Sequence, residues 1–258
     1  MSTPAITPEL RQTLRRLKLS PLLETLPERL ELARQQNMSH AELLELVLAD
    51  EVDRRDRHAA ARRARAARLN PTMTLDAWDE TTGVAYDRRL WNELATLRFA
   101  DDALCALILG PVGVGKTHLA HALGHIACRR RLRVYAERAD QLFKRLAASR
   151  LDGSHDAELR RLVGLDLLII DDFALHSLDA TATADFYELV VQRHLRAATV
   201  VTSNREPPEW LAAMADPLLA QAALDRLQSA AYELVLEGES YRQRQKPTLN
   251  PSAKKEDR

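Results

Sequence analysis

Cysteine is almost missing from this chain: its 258 residues include two, Cys105 and Cys128. Two thiols are too few for a disulfide framework or a four-cysteine metal site, so both are expected to be reduced core residues of a cytoplasmic protein. Net charge is also missing, because 37 basic side chains meet 37 acidic ones. The molecule as a whole therefore advertises no affinity for nucleic acid, and any basic surface must be local. No apolar run reaches membrane-spanning length, no signal peptide is visible, and no internal repeat is apparent, so no membrane partner is expected. Glycine is sparse, with eight residues, yet three of them fall between positions 110 and 115.

That cluster carries the strongest signal. The apolar run Leu104-Cys105-Ala106-Leu107-Ile108-Leu109 leads into Gly110-Pro111-Val112-Gly113-Val114-Gly115-Lys116-Thr117-His118, which fits the spacing G-x-x-x-x-G-K-[ST]. The glycines let the backbone turn several N–H groups toward one anion, Lys116 can reach the outer phosphates, and the Thr117 hydroxyl can ligate Mg²⁺. Leu119, Ala120, Leu123, Ile126 and Ala127 follow at helical spacing, so the positive end of a helix also faces the anion. The spacing of His118, His121 and His125 puts them near one face of this helix, read as packing beside the loop rather than as a metal site.

Downstream, Leu167-Leu168-Ile169-Ile170-Asp171-Asp172 reads as a strand buried on both faces that ends in two acids. Ligands bind at the C-terminal ends of strands in open α/β sheets. The expected roles are Mg²⁺ coordination for Asp171, alongside Thr117, and polarisation of the attacking water for Asp172. A third apolar strand, Thr199-Val200-Val201-Thr202, ends in Ser203-Asn204-Arg205, which places an amide at the same sheet edge. Further strand and helix segments are expected at 133–136, 139–150, 156–163 and 181–196.

The first 70 residues are organised differently. Ser20-Pro21 is a helix start, and Ser39 with Glu42 forms a capping box for another helix. Leu43, Leu44, Leu46, Val47 and Leu48 are expected to pack on Leu14, Leu17, Leu22, Leu23, Leu26 and Leu30. The second helix should run on to about Leu69, where Asn70-Pro71 stops it. Its later turns carry Arg54, Arg55, Arg57, Arg62, Arg63, Arg65 and Arg68 against Glu51, Asp53 and Asp56. Two readings stand: a solvated, ion-paired helix, or an arm whose arginines, Arg54, Arg55, Arg62, Arg63, Arg65 and Arg68 among them, meet DNA phosphates or a partner. The organisation expected is a helical domain over 1–70, an α/β domain over 71–246, and a disordered tail over 247–258.

Residues from about 10 to 244 resemble the IstB-like helper ATPases of insertion-sequence transposition, relatives of the DnaC helicase loaders within the AAA+ class. The resemblance rests on 110–120, 167–173, Thr202-Ser203-Asn204-Arg205, Leu224-Asp225-Arg226-Leu227 and Glu237-Gly238-Glu239-Ser240-Tyr241-Arg242. It implies an AAA+ P-loop domain, a three-layer parallel sheet, behind a small all-α domain. It further implies ATP and Mg²⁺ as cofactors, Asn204 as first sensor, Arg226 as an arginine finger offered to a neighbouring subunit, and Arg242 as second sensor. The stretch 72–100, with Trp78, Tyr86 and Trp91, resembles the segment that cradles the adenine edge in related ATPases; plain core packing is the other reading of these aromatics. By the same resemblance the protein would self-assemble through its ATP sites on double-stranded DNA, without sequence preference, and deliver that DNA to a transposase. A DnaC-like helicase loader is the alternative, and a nucleotide-dependent scaffold without useful hydrolysis is a remoter one. Two positions depart from the pattern: the second acid, often Glu in AAA+ proteins, is the shorter Asp172, and the turn commonly Arg-Gly in the family reads Arg130-Arg131.

Overall fold

The computed structural model describes residues 6–79 and 83–241. The chain forms two compact units, Met1–Arg62 and Arg63–Arg258. The first holds α1 (Pro8–Arg16), α2 (Leu22–Gln35) and most of α3 (His40–Ala66). Its core is Leu14, Leu22, Leu26 and Val47, with Leu23, Leu30 and Leu43 packed against them. Leu17, Leu44 and Leu48 instead face solvent. On a 3.6-residue helix, positions 43 and 47 share the inward face while 44 and 48 turn about 100° away.

The capping box forms as its spacing implies: Glu42 accepts from the Ser39 N–H at 2.6 Å and the Ser39 hydroxyl accepts from the Glu42 N–H at 3.3 Å. At α2 the cap position is Pro21 rather than Ser20, and no side chain bonds to it. Helix α3 stops at Ala66, three residues short of Leu69, because Arg68 adopts a left-handed φ of 59°.

The second unit continues with α4 (Arg88–Ala95), the short α5 (Arg98–Asp101), β1 (Cys105–Leu109), α6 (Lys116–Arg129), β2 (Val134–Arg138), α7 (Ala139–Leu151) and α8 (His155–Val163). There follow β3 (Leu167–Phe173), α9 (Ala180–Arg193), β4 (Ala198–Ser203), the short α10 (Pro207–Trp210), α11 (Pro217–Ser229) and β5 (Ala231–Val235). The five strands form one parallel sheet in the order β2-β3-β4-β1-β5.

Period-two alternation feeds two cores. Ala106, Ile108, Leu167, Ile169, Ala198 and Val200 point into the layer holding α4, α5 and α6. Leu107, Leu109, Leu168, Ile170 and Val201 point into the layer of α7, α8, α9 and α11. Covered on both faces, these strands read as unbroken apolar runs. Ala64, Ala67 and Leu69 join the first of these cores.

Candidate functional site

The phosphate-loop segment leaves the C-terminal end of β1 and enters α6 at Lys116, with Gly115 as the cap residue at φ 101°. A Cβ at Gly115 would lie 2.5 Å from Cζ3 of Trp78, and one at Gly113, where φ is 88°, would lie 2.1 Å from Oγ of Ser240. Both positions thus need glycine for backbone shape and for room. The Lys116 ammonium folds onto the loop and donates to the carbonyls of Gly110 and Pro111, each at 2.7 Å. The loop, Trp78, Asp172 and Asn204 line one cavity of about 770 Å³, within the size range of nucleotide and cofactor clefts.

Asp171 comes from β3 to meet the loop. Its Oδ1 accepts from the Thr117 hydroxyl at 2.9 Å and from the Thr202 hydroxyl at 2.5 Å. Asp172 follows with a left-handed φ of 54°, a conformation that costs a non-glycine residue about 1–3 kcal/mol. The cause is a bulge: Ile170 pairs with Val201 but Phe173 pairs with Ser203, so β3 carries one extra residue there. Arg138, at the end of β2, sits 3.6 Å from Asp172 and also lines the cavity; its helix-start position gave no signal in the sequence.

The segment after β5 closes over the loop from the other side. The Leu236 N–H donates to the Leu109 carbonyl at 2.8 Å and the Tyr241 N–H to the Gly113 carbonyl at 2.9 Å. Arg242, the expected second sensor, lies outside the described residues, as do residues 247–258.

The three histidines strap the chain after α3 onto α6. His118 Nε2 meets the Thr74 carbonyl at 2.8 Å, His125 Nε2 meets the Asn70 carbonyl at 2.8 Å, and His121 Nδ1 accepts the Asn70 N–H at 3.0 Å. Burial pushes His121 below the ordinary histidine value, which matches a neutral ring acting as acceptor. No group of three or more metal-ligating side chains occurs among the described residues.

Arg226 stands apart. With Cys105, Thr199, Ile170 and Val201 it lines a small cavity beside β1, β3 and β4, and its helix leads into β5, whose Ala231 pairs with Cys105 at the start of β1, whereas the loop follows the C-terminal end of β1. Its guanidinium donates to the Ala222 carbonyl at 2.8 Å.

The arginines of α3 and of the turn after it do not form one set. Arg54 and Arg55 both bind the buried Glu51 carboxylate at 2.7 Å. Arg63 donates to the Cys128 carbonyl at 2.8 Å, and Arg68 pairs with Glu137 and stacks over Tyr135 at 5.3 Å. Arg62 and Arg65 are exposed, with no ion pair or hydrogen bond from their side chains among the described residues.

A triphosphate fits this cavity on two counts. The left-handed φ values of Gly110, Gly113 and Gly115 give the curled backbone that turns loop N–H groups toward one anion, and the buried indole Nε1 of Trp78, a donor only, has no acceptor among the described residues. Residues 12–248 match the family described as IstB-like ATP binding protein. The chain belongs to that family. An insertion-sequence ATP-binding protein of Mycobacterium tuberculosis is 36% identical over 241 residues, covering 93% of this chain and 96% of that one. AMPPCP-bound DnaA from Aquifex aeolicus is 25% identical with a TM-score of 0.53, over 64% of this chain and 50% of that one. A DnaC helicase loader, 18% identical, has the same fold with a TM-score of 0.51, over 58% of this chain and 87% of that one. The family is thus an ATP-binding one, and the α/β unit has the AAA+ fold. No described helix is long and apolar enough to cross a membrane.

Proposed function

We propose that this protein hydrolyses ATP with Mg²⁺, assembles with copies of itself on double-stranded DNA, and presents that DNA to a transposase in the cytoplasm. The observation that carries the hydrolytic part is the convergence of Thr117, Asp171 and Asp172 at the mouth of the glycine loop. Thr117 and Asp171 would hold Mg²⁺, which supplies charge neutralisation for the phosphates. Residues 110–118 cradle the triphosphate, Asp172 polarises the attacking water, and Asn204 orients it. Arg226 acts on the neighbouring subunit's nucleotide, since its helix ends beside the start of β1 and its own loop follows the end of that strand. Arg242 keeps the second-sensor role as a proposal from resemblance.

The transposition setting is supported by the insertion-sequence naming of the relatives. For DNA contact, the exposed Arg62 and Arg65 are the foremost candidates of the six arginines, because Arg54, Arg55, Arg63 and Arg68 hold protein groups. Electron microscopy of the protein with duplex DNA and a slowly hydrolysed ATP analogue, alongside ATP turnover, tests the reading. Discrete assemblies on DNA that require the analogue and Mg²⁺ are expected; bare DNA and no turnover would overturn it.

A further inference from the structure

We propose that Thr202 is the positioning residue for both acids of the site, and that its hydroxyl, not its packing, is what the reaction requires. The inference rests on the ATP–Mg²⁺ reading above and adds a residue to it. In β3, Leu168, Ile170 and Phe173 all point into the layer of α7 and α9, so the step from 170 to 173 is three residues where alternation demands two. Asp171 and Asp172 together therefore oppose the single residue Thr202 on β4. Regular alternation would send adjacent acids to opposite faces of the sheet. The bulge removes that constraint: Asp171 keeps the α6 side, where it meets Thr117, while Asp172 turns through its left-handed φ to line the nucleotide cavity.

Thr202 fills the gap that the bulge opens. The Asp172 N–H donates to Thr202 Oγ1 at 2.9 Å, and that hydroxyl donates its one proton to Asp171 Oδ1 at 2.5 Å. The direction of both bonds is fixed, because the proton spent on Asp171 leaves only lone pairs facing Asp172. Thr202 is fully buried, so water cannot replace it. It thus fixes the backbone from which the second acid is aimed and anchors one oxygen of the first, leaving Asp171 Oδ2 without a protein partner among the described residues. A hydroxyl behind a metal-binding carboxylate is worth about 10- to 100-fold in metal affinity or activity.

Thr202→Val keeps the shape and removes both bonds; Thr202→Ser keeps both bonds. Calorimetric titration with a slowly hydrolysed ATP analogue, in EDTA and across an Mg²⁺ series, is read beside turnover and melting temperature. Thr202→Val is expected to bind the analogue like wild type in EDTA, to lose about 10-fold or more of the Mg²⁺-dependent gain in affinity, and to lose turnover; Thr202→Ser is expected to retain all three. If Thr202→Val melts below assay temperature, Thr202→Ala against Thr202→Ser makes the comparison at a difference of one hydroxyl. An Mg²⁺ response in Thr202→Val equal to wild type, or a serine variant as impaired as the valine or alanine one, overturns the role. If wild type itself shows no Mg²⁺-dependent gain, the ATP–Mg²⁺ reading falls instead.

Discussion

Lys116 and Asp172 line the same cavity, and in the proposed mechanism they divide binding from chemistry. Lys116→Ala removes the mobile cation of the loop and is expected to abolish ATP binding and everything that depends on it. Asp172→Asn keeps size and hydrogen-bonding capacity but loses the charge proposed to polarise water, so ATP and Mg²⁺ should still bind while turnover falls; unaltered turnover in a titrated, folded variant would remove Asp172 from its role. Glu51 is the residue whose charge most concerns the helical unit. Hydrogen bonding to Arg54, against an opposing effect of burial and with Arg55 adding, holds it down to about 2. Its contribution to stability is therefore complete above the ordinary value of 4.5 and is lost as pH falls from there through about 2. Acid melting of the helical transition should show this slope in wild type and a flatter one in Glu51→Gln. Of these residues, Lys116 and Asp172 were legible because chemistry sets their spacing from glycine and from an apolar run. Thr202 and Arg138 were not, since a threonine in a strand is ordinary β-former usage and an arginine before a helix carries no signature.

Strands β1, β3 and β4 were legible as elements for a physical reason: a parallel strand covered on both faces must be apolar throughout, and such runs have few other readings. The bulge in β3 was not, because two adjacent acids look the same whether the strand alternates or slips by one. The arginine helix shows the same limit. Its charge surplus is plain in the sequence, but the partners that consume it are far away, with Glu137 lying 69 positions from Arg68 and the Cys128 carbonyl 65 positions from Arg63. This sorts the arginines by expected effect. Neutralising Arg62 and Arg65 should weaken DNA binding for all sequences alike and flatten the log K against log salt slope by roughly 0.9 for each phosphate that is no longer neutralised. Neutralising Arg68 or Arg63 should instead lower the melting temperature. DNA affinity over a salt series with ATP present decides it: an unchanged slope in the Arg62 and Arg65 variant takes DNA binding away from these two side chains and favours a partner-binding arm.

For the whole molecule, the decisive feature is that the helix carrying Arg226 ends beside the start of β1, where Ala231 pairs with Cys105, whereas the phosphate loop follows the end of that strand. Five residues of strand span about 13 Å between first and last Cα. Arg226 lies in the last turn of α11, which leads into the start of β5 beside Cys105, so in the proposed mechanism it serves the nucleotide of a second copy of the chain. Arg226→Ala is then expected to leave ATP binding by one subunit intact while turnover collapses, since a finger supplied in trans is worth about 10³ to 10⁵ in rate in related triphosphatases. Mixing the Arg226→Ala and Lys116→Ala chains tests the geometry directly. At a mixed interface the first chain supplies an intact loop and the second an intact Arg226, so partial activity should return although neither chain is active alone. Co-assembly of the two folded variants without any return of turnover would make Arg226 a structural residue of α11, and the engine would then need another cation at the subunit boundary.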